Sequence, residues 1–149
     1  MIYEVDQSGK VENTSKDTII CIANSRDRYI LILPGKEKRT LQSYFRHKGK
    51  IRIFVLTVFS ALVSYAICKA KASSIMIDRE YYGKEKIIRT MIYEMIGDHK
   101  ADLSFGLIGK KSPAHHGAHE AYLGKIRIDF ILTAKMIIQT IKKDRAQKT

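Results

Sequence analysis

Three of the chain's 5 histidines, His115, His116 and His119, crowd into five residues, and Glu120 follows at once. If this segment opens a helix, i+3 and i+4 spacing puts His116, His119 and Glu120 on one face. An imidazole titrates near neutrality, so a histidine here can ligate a metal ion or move a proton to a leaving group. The competing reading is an ordinary helix N-terminus with polar side chains in water. A zinc-protease pattern is excluded, because HExxH requires histidine where Leu123 stands.

Two further segments carry groups suited to phosphate. Lys36, Lys38, Arg39, Arg46, Lys48, Lys50 and Arg52 face only Glu37 as a local counter-charge, with Tyr44 and Phe45 among them. Cations interleaved with aromatics suit a surface that tracks a nucleic-acid backbone, and a solvated linker is the alternative. Gly109-Lys110-Lys111-Ser112 follows only part of the nucleotide-binding loop pattern, since Ser104 stands where that pattern needs its first glycine. Backbone N–H groups ahead of a helix, flanked by Lys110 and Lys111, still suit a phosphate of a polynucleotide.

The whole chain leans the same way. Its 149 residues hold 27 Lys+Arg against 15 Asp+Glu, a net charge of +12. That balance makes DNA or RNA the first expected partner and an anionic membrane surface the second. Hydrophobic residues at 45% and charged residues at 28% exclude a disordered chain and fit one domain over residues 1–149. Cys21 and Cys68 stand alone in apolar runs, without a CxxC or metal-ligand neighbour. They read as buried free thiols of a reducing, cytoplasmic compartment. Glu4 and Asp6 break any apolar N-terminal leader. Ile53 to Cys68 is uncharged but short for a membrane span and carries Thr57, Ser60, Ser64 and Tyr65. It reads as a buried core helix, with no stable membrane association expected. Spacing encodes nothing about oligomeric state.

These groups need a frame to position them. Residues 2–6 predict a short strand ending at Asp6, followed by the turn Gln7–Lys10. Residues 18–23 and 28–33 predict two more strands, the last stopped by Pro34-Gly35, so the first three form an antiparallel meander. The apolar length of 51–71 predicts a helix, and 74–78 a buried strand ending at Asp78. Ile87, Ile88, Met91, Ile92, Met95 and Ile96 predict an amphipathic helix over 84–96, capped by Gly97. Residues 102–108 predict a fifth strand, and about 118–143 one long final helix. The order is β-β-β-α-β-α-β-α. Alternation in the second half requires parallel pairing with right-handed crossovers, so the expected architecture is α/β, a mixed five-stranded sheet flanked by helices.

That order resembles the core of the ribonuclease H-like superfamily, and the likeness in element order spans nearly the whole chain. Asp6-Gln7-Ser8-Gly9 is similar to an Asp-x-Ser-Gly stretch found in some of its branches. The resemblance implies an aspartate on the first strand, here Asp6, and a second closing the fourth, here Asp78, on strands that pair with each other. It implies a third acidic residue or histidine at the last helix, here His119 or Glu120. Such a set would hold Mg²⁺ or Mn²⁺ for phosphodiester hydrolysis, in which two ions roughly 3.5–4 Å apart activate water and stabilise the leaving oxygen. The family's glutamate on the first long helix has no counterpart, because residues 51–71 contain no acidic residue. Glu80 is the first substitute and Glu37 a weaker one. The expected function is a metal-dependent nuclease using Asp6, Asp78, His119 and Glu80. The alternative is a nucleic-acid-binding protein that has the fold without the chemistry.

Overall fold

The computed structural model describes residues 1–147. A polar strand around Val5 and two apolar, β-branched runs become an antiparallel meander: β1 (Tyr3–Ser8), β2 (Thr18–Ala23) and β3 (Arg28–Leu33). On the other side of β1 lie β4 (Ser74–Asp78) and then β5 (Asp102–Gly106), each parallel to its inner neighbour. The sheet has a sixth strand, β6 (Phe130–Ile131), parallel to β3, and its order is β5-β4-β1-β2-β3-β6. The helices are α1 (Gly35–His47), α2 (Phe54–Ala70), α3 (Glu85–Ile96), α4 (Pro113–Tyr122) and α5 (Ala134–Gln147).

The sheet separates two apolar layers. Val5, Ile20, Ile22, Leu31, Leu33, Ile75 and Ile77 pack with α2 and α3 on one face. Ile19, Cys21, Ala23 and Ile30 pack with α4 on the other. α2 is apolar around nearly its whole circumference because it is the central core helix. The stretch Ile51–Ala70 is long and apolar enough to cross a membrane by length and composition, and 61% of its most apolar window is buried inside the fold.

Several expectations need correction. The sheet has six strands, not five. Asp6 does not end its strand, because β1 continues through Gln7 and Ser8, paired with Ile20 and Ile19. Asp78 does end β4. β5 stops at Gly106 rather than running to Ile108. The helix expected over 51–71 begins with one 3-10 turn, Ile51–Ile53. It ends at Lys71, whose backbone adopts the left-handed conformation. The expected final helix is two helices. Gly124 takes a positive φ after α4, and Asp129 then caps the edge of β3, its carboxylate accepting the Ile30 N–H at 2.7 Å. The basic stretch is no linker, since 35–47 is helical.

Lys38 overturns its expected role on phosphate. Its side chain is fully buried, and the ammonium donates to Asn13 O (2.7 Å), Thr18 Oγ1 (2.8 Å) and Lys10 O (3.2 Å). Burial pushes this amine down to about 8, with Asp17 and Glu12 pulling the other way. Three oxygens turned inward replace the water it has lost, and the result pins α1 to the 10–17 loop. Cys68 also departs from expectation, being exposed where Cys21 is buried.

Candidate metal centre

Parallel pairing sets Val5 opposite Ile77. The next residues along the two strands are Asp6 and Asp78, and strand alternation turns both toward the face covered by α4. Glu80 lies two residues beyond Asp78, in the connection to α3. Asp6, Asp78 and Glu80 each bring a carboxylate oxygen into one group whose members all lie within 4.8 Å of one another. Of the acids the sequence offered, these three converge.

Each is positioned by identifiable contacts. Asp6 is 5% exposed, and its Oδ1 accepts the Gln7 N–H at 2.8 Å. His115 Nδ1 lies 2.8 Å from the other oxygen, Oδ2. Asp78 Oδ1 accepts the Ile108 N–H at 3.2 Å, which ties the loop before α4 to the cluster. Glu80 is held through its neighbours. The Tyr81 ring packs edge-on against Phe59 of α2 (5.1 Å between centroids), and its hydroxyl donates to Glu12 at 3.1 Å. The Arg79 N–H donates to Gly106 O, and its guanidinium sits 3.3 Å from Glu85 in a charge contact. Arg79 therefore pairs with Glu85 rather than with Asp78.

His115 reaches Asp6 because small residues let α4 pack closely on the sheet. The buried face of α4 is Ala114, Gly117, Ala118 and Ala121. A Cβ at Gly117 would lie 2.6 Å from Cys21 Sγ, so only glycine permits this approach. Ser112 caps the helix by accepting the Ala114 N–H at 3.1 Å, and its hydroxyl donates to Glu4 at 2.9 Å.

Electrostatically the cluster is only partly compensated. Burial raises the Asp6 carboxyl above its ordinary value, the bonds from Gln7 and His115 oppose this, and the Asp78 charge adds to it. Burial pushes Glu80 up to about 7, reinforced by the charges of Asp78 and Asp6 and opposed by Lys10. Three carboxylates this close cannot all ionise comfortably without a cation among them. Hard oxygen donors in a tight group match the requirements of Mg²⁺ or Mn²⁺.

The other expected site residues lie at different removes from this centre, those of α1 in the helix layer on the opposite face of the sheet. His119 stacks on His115 with ring centroids 6.2 Å apart and planes within 2°, one turn further along α4 and exposed. Glu120 is outside the acidic group and faces Lys125 at 3.9 Å. Glu37 accepts the Ala134 N–H and serves the entry of α5. Lys110 and Lys111 are exposed on the loop that Ile108 anchors to Asp78. Lys36, Arg39, Arg46 and Lys48 are exposed along α1, where Lys36, Arg39, Tyr44 and His47 help line an open cleft of about 630 Å³. Arg39 also donates to Thr14 O at 2.8 Å, linking α1 to the loop that leaves β1.

Sequence reasoning chose His119 where the structure sets His115 on Asp6, and it missed Tyr81. The i+4 spacing from His115 to His119 was visible. Which turn of the helix meets Asp6 depends on how α4 docks. An apolar cavity of about 250 Å³, lined among the described residues by Ser64, Tyr65, Cys68, Met95, Gln139 and Thr140, has no carboxylate among them and lies on the opposite face from His115. Comparison of the chain with protein-family models, with curated proteins and with solved structures found no match.

Proposed function

We propose that this chain is a divalent-metal-dependent nuclease with a ribonuclease H-like fold, hydrolysing phosphodiester bonds of DNA or RNA. The observation that carries the reading is the convergence of Asp6, Asp78 and Glu80 within 4.8 Å. The order of the five long strands supports the fold assignment, with β1 central between antiparallel β2 and parallel β4.

Asp6 and Asp78 would hold Mg²⁺ or Mn²⁺ from adjacent strands. Glu80 would complete the set, in place of the acid that α2 lacks. When bound, such an ion supplies a water of lowered pKa and positive charge beside the scissile phosphate. His115 orients Asp6 through Nδ1, and its Nε2 is the ring nitrogen available to carry a proton at the leaving oxygen. His119 lies behind it with its ring parallel. Lys110 and Lys111, on the loop tied to Asp78, hold the phosphate backbone.

Cleavage of single strands, duplexes, RNA–DNA hybrids and branched junctions, with Mn²⁺ and with EDTA, tests the proposal. Wild type is expected to cut at least one substrate only with the metal, and Asp6→Asn and Asp78→Asn are expected to cut none. A wild type that cuts nothing, or variants that cut equally well, overturn it. Salt-sensitive binding without cleavage would transfer the reading to a catalytically inactive nucleic-acid-binding protein, which the acid-free α2 favours.

A further inference from the structure

We propose that a cavity beside the acidic cluster receives one unpaired nucleobase, so that the strand held there is single. This rests on the nuclease reading and names the substrate class of that site. The cavity, about 300 Å³, opens where the 10–17 loop meets the last turn of α4. That volume is at the lower end of small-ligand pockets, about 300–1,000 Å³. Ile19 and Ile32 supply apolar walls, Tyr122 supplies a ring, and Ser15, Lys16 and Asp17 supply a polar rim. A nucleobase needs this mixture, with an apolar surface for its faces and donors and acceptors for its edge.

The cavity is assembled by contacts that also fix its distance from the acids. Gly9 has φ +79°, and a Cβ there would lie 2.2 Å from Asp17 O and 2.8 Å from Tyr122 Cε1. Only a bare glycine lets the loop and the tyrosine ring close over the end of β1, three residues past Asp6. Asp17 is held in place because its Oδ1 accepts the Gly35 N–H at 2.9 Å. A carboxylate at this rim is an acceptor suited to an N–H of a base edge. α4 presents both His115 and Tyr122. At 1.5 Å per residue their seven-residue separation is about 10 Å along the helix. The base cavity and the acidic cluster therefore lie about two turns apart along α4. Lys10 stands near Glu80 and Lys16 on the cavity rim, and both are exposed.

A paired base in a duplex is stacked on both faces and its edge is occupied. Only a single strand, or a base turned out of a helix, can enter such a cavity. Tyr122 is 38% exposed, open enough to stack.

The test measures binding of a single-stranded DNA or RNA octamer, the same octamer in duplex form, and an abasic octamer of equal charge, all in EDTA so that no strand is cut. Tyr122→Ala is expected to raise the Kd for the single strand about 5- to 150-fold, the range for loss of one aromatic–base stack. Binding of the abasic octamer and calorimetric Mn²⁺ affinity should be unchanged. The chain contains no tryptophan, so Tyr122→Trp places a single indole at the cavity and keeps the test open should the alanine variant misfold. Its emission should be quenched by the base-bearing single strand and not by the abasic one. Equal Kd values for wild type and Tyr122→Ala, or an indole blind to the bases, overturn the proposal. So does a duplex that depends on Tyr122 as strongly as the single strand. If wild type cleaves with Mn²⁺ but Tyr122→Ala binds normally, only the base cavity falls. If Mn²⁺ does not bind yet Tyr122 controls single-strand affinity, only the nuclease reading falls.

Discussion

Replacing Glu80 with glutamine should stabilise the metal-free protein at alkaline pH, and the effect should vanish in acid. The Glu80 carboxyl is pushed up to about 7 from an ordinary 4.5, first by burial and then by the charges of Asp78 and Asp6. A raised folded-state value means the folded protein binds this proton more tightly than the unfolded chain. The associated stability is fully present below about 4.5 and is lost as the pH rises through 7. At 1.36 kcal/mol per unit the shift has a ceiling of about 3.4 kcal/mol, and partial exposure screens it to about 1.5–2 kcal/mol. In Glu80→Gln the neutral amide removes that loss. At pH 8 the variant should be more stable than wild type by about 1.5–2 kcal/mol, a Tm increase of about 3–8 °C for a chain of this size. At pH 4.5 the two should match. Asp6 is also raised by burial, so a smaller slope of the same sign should persist in the variant. Thermal melts followed by circular dichroism from pH 4.5 to 8.5 provide the assay, with EDTA and with Mn²⁺. At 100 times its Kd the ion stabilises wild type by about 2.7 kcal/mol, and the variant should lose most of that gain. A variant no more stable than wild type at pH 8, or one that Mn²⁺ stabilises equally, would refute the claim that three mutually repelling carboxylates share this site.

Other outcomes follow from particular contacts. His115→Ala should lower Mn²⁺-dependent cleavage by about 10²–10⁴-fold, the usual range for a lost proton carrier, whereas His119→Ala should have a far smaller effect; equal losses would contradict the placement of His115 on Asp6. Lys38→Met leaves Asn13 O, Thr18 Oγ1 and Lys10 O without their donor. It should cost about 2–3 kcal/mol and lower Tm by about 5–10 °C, and an unchanged melt would show that the ammonium is not structural. Replacing both Lys110 and Lys111 with alanine should reduce the slope of log K against log[salt] by about 1.5, as expected for two lost phosphate contacts. Titration of a labelled oligonucleotide at several salt concentrations measures that slope, and an unaltered slope would remove these lysines from the interface.

The sequence by itself determined those elements whose signal is local. Thr18–Ala23, Arg28–Leu33 and Ser74–Asp78 are β-branched or apolar runs bounded by turn residues, and each strand begins and ends where that pattern does. The i+4 spacing of Ile88, Ile92 and Ile96 marks the buried face of α3. Asp6 and Asp78 could be singled out because each closes a predicted strand in an element order that resembles the ribonuclease H-like superfamily. What only the tertiary structure decided is what depends on docking. α1 was hidden in a run of cations, because its buried contacts are few: Gly35, Lys38, Leu41 and Phe45. Lys38 looks like any surface lysine until loop carbonyls from residues 10 and 13 are folded around it. The break between α4 and α5 comes from β6 pairing with a strand about a hundred residues earlier. His115 rather than His119 meets Asp6 because Gly117 lets one turn of α4 lie against Cys21. Glu80 joins the aspartates because Tyr81 is pinned between Phe59 and Glu12. Local spacing carries the periodicity of a helix or strand. The meeting of side chains distant in sequence is set by packing geometry, which spacing alone does not encode.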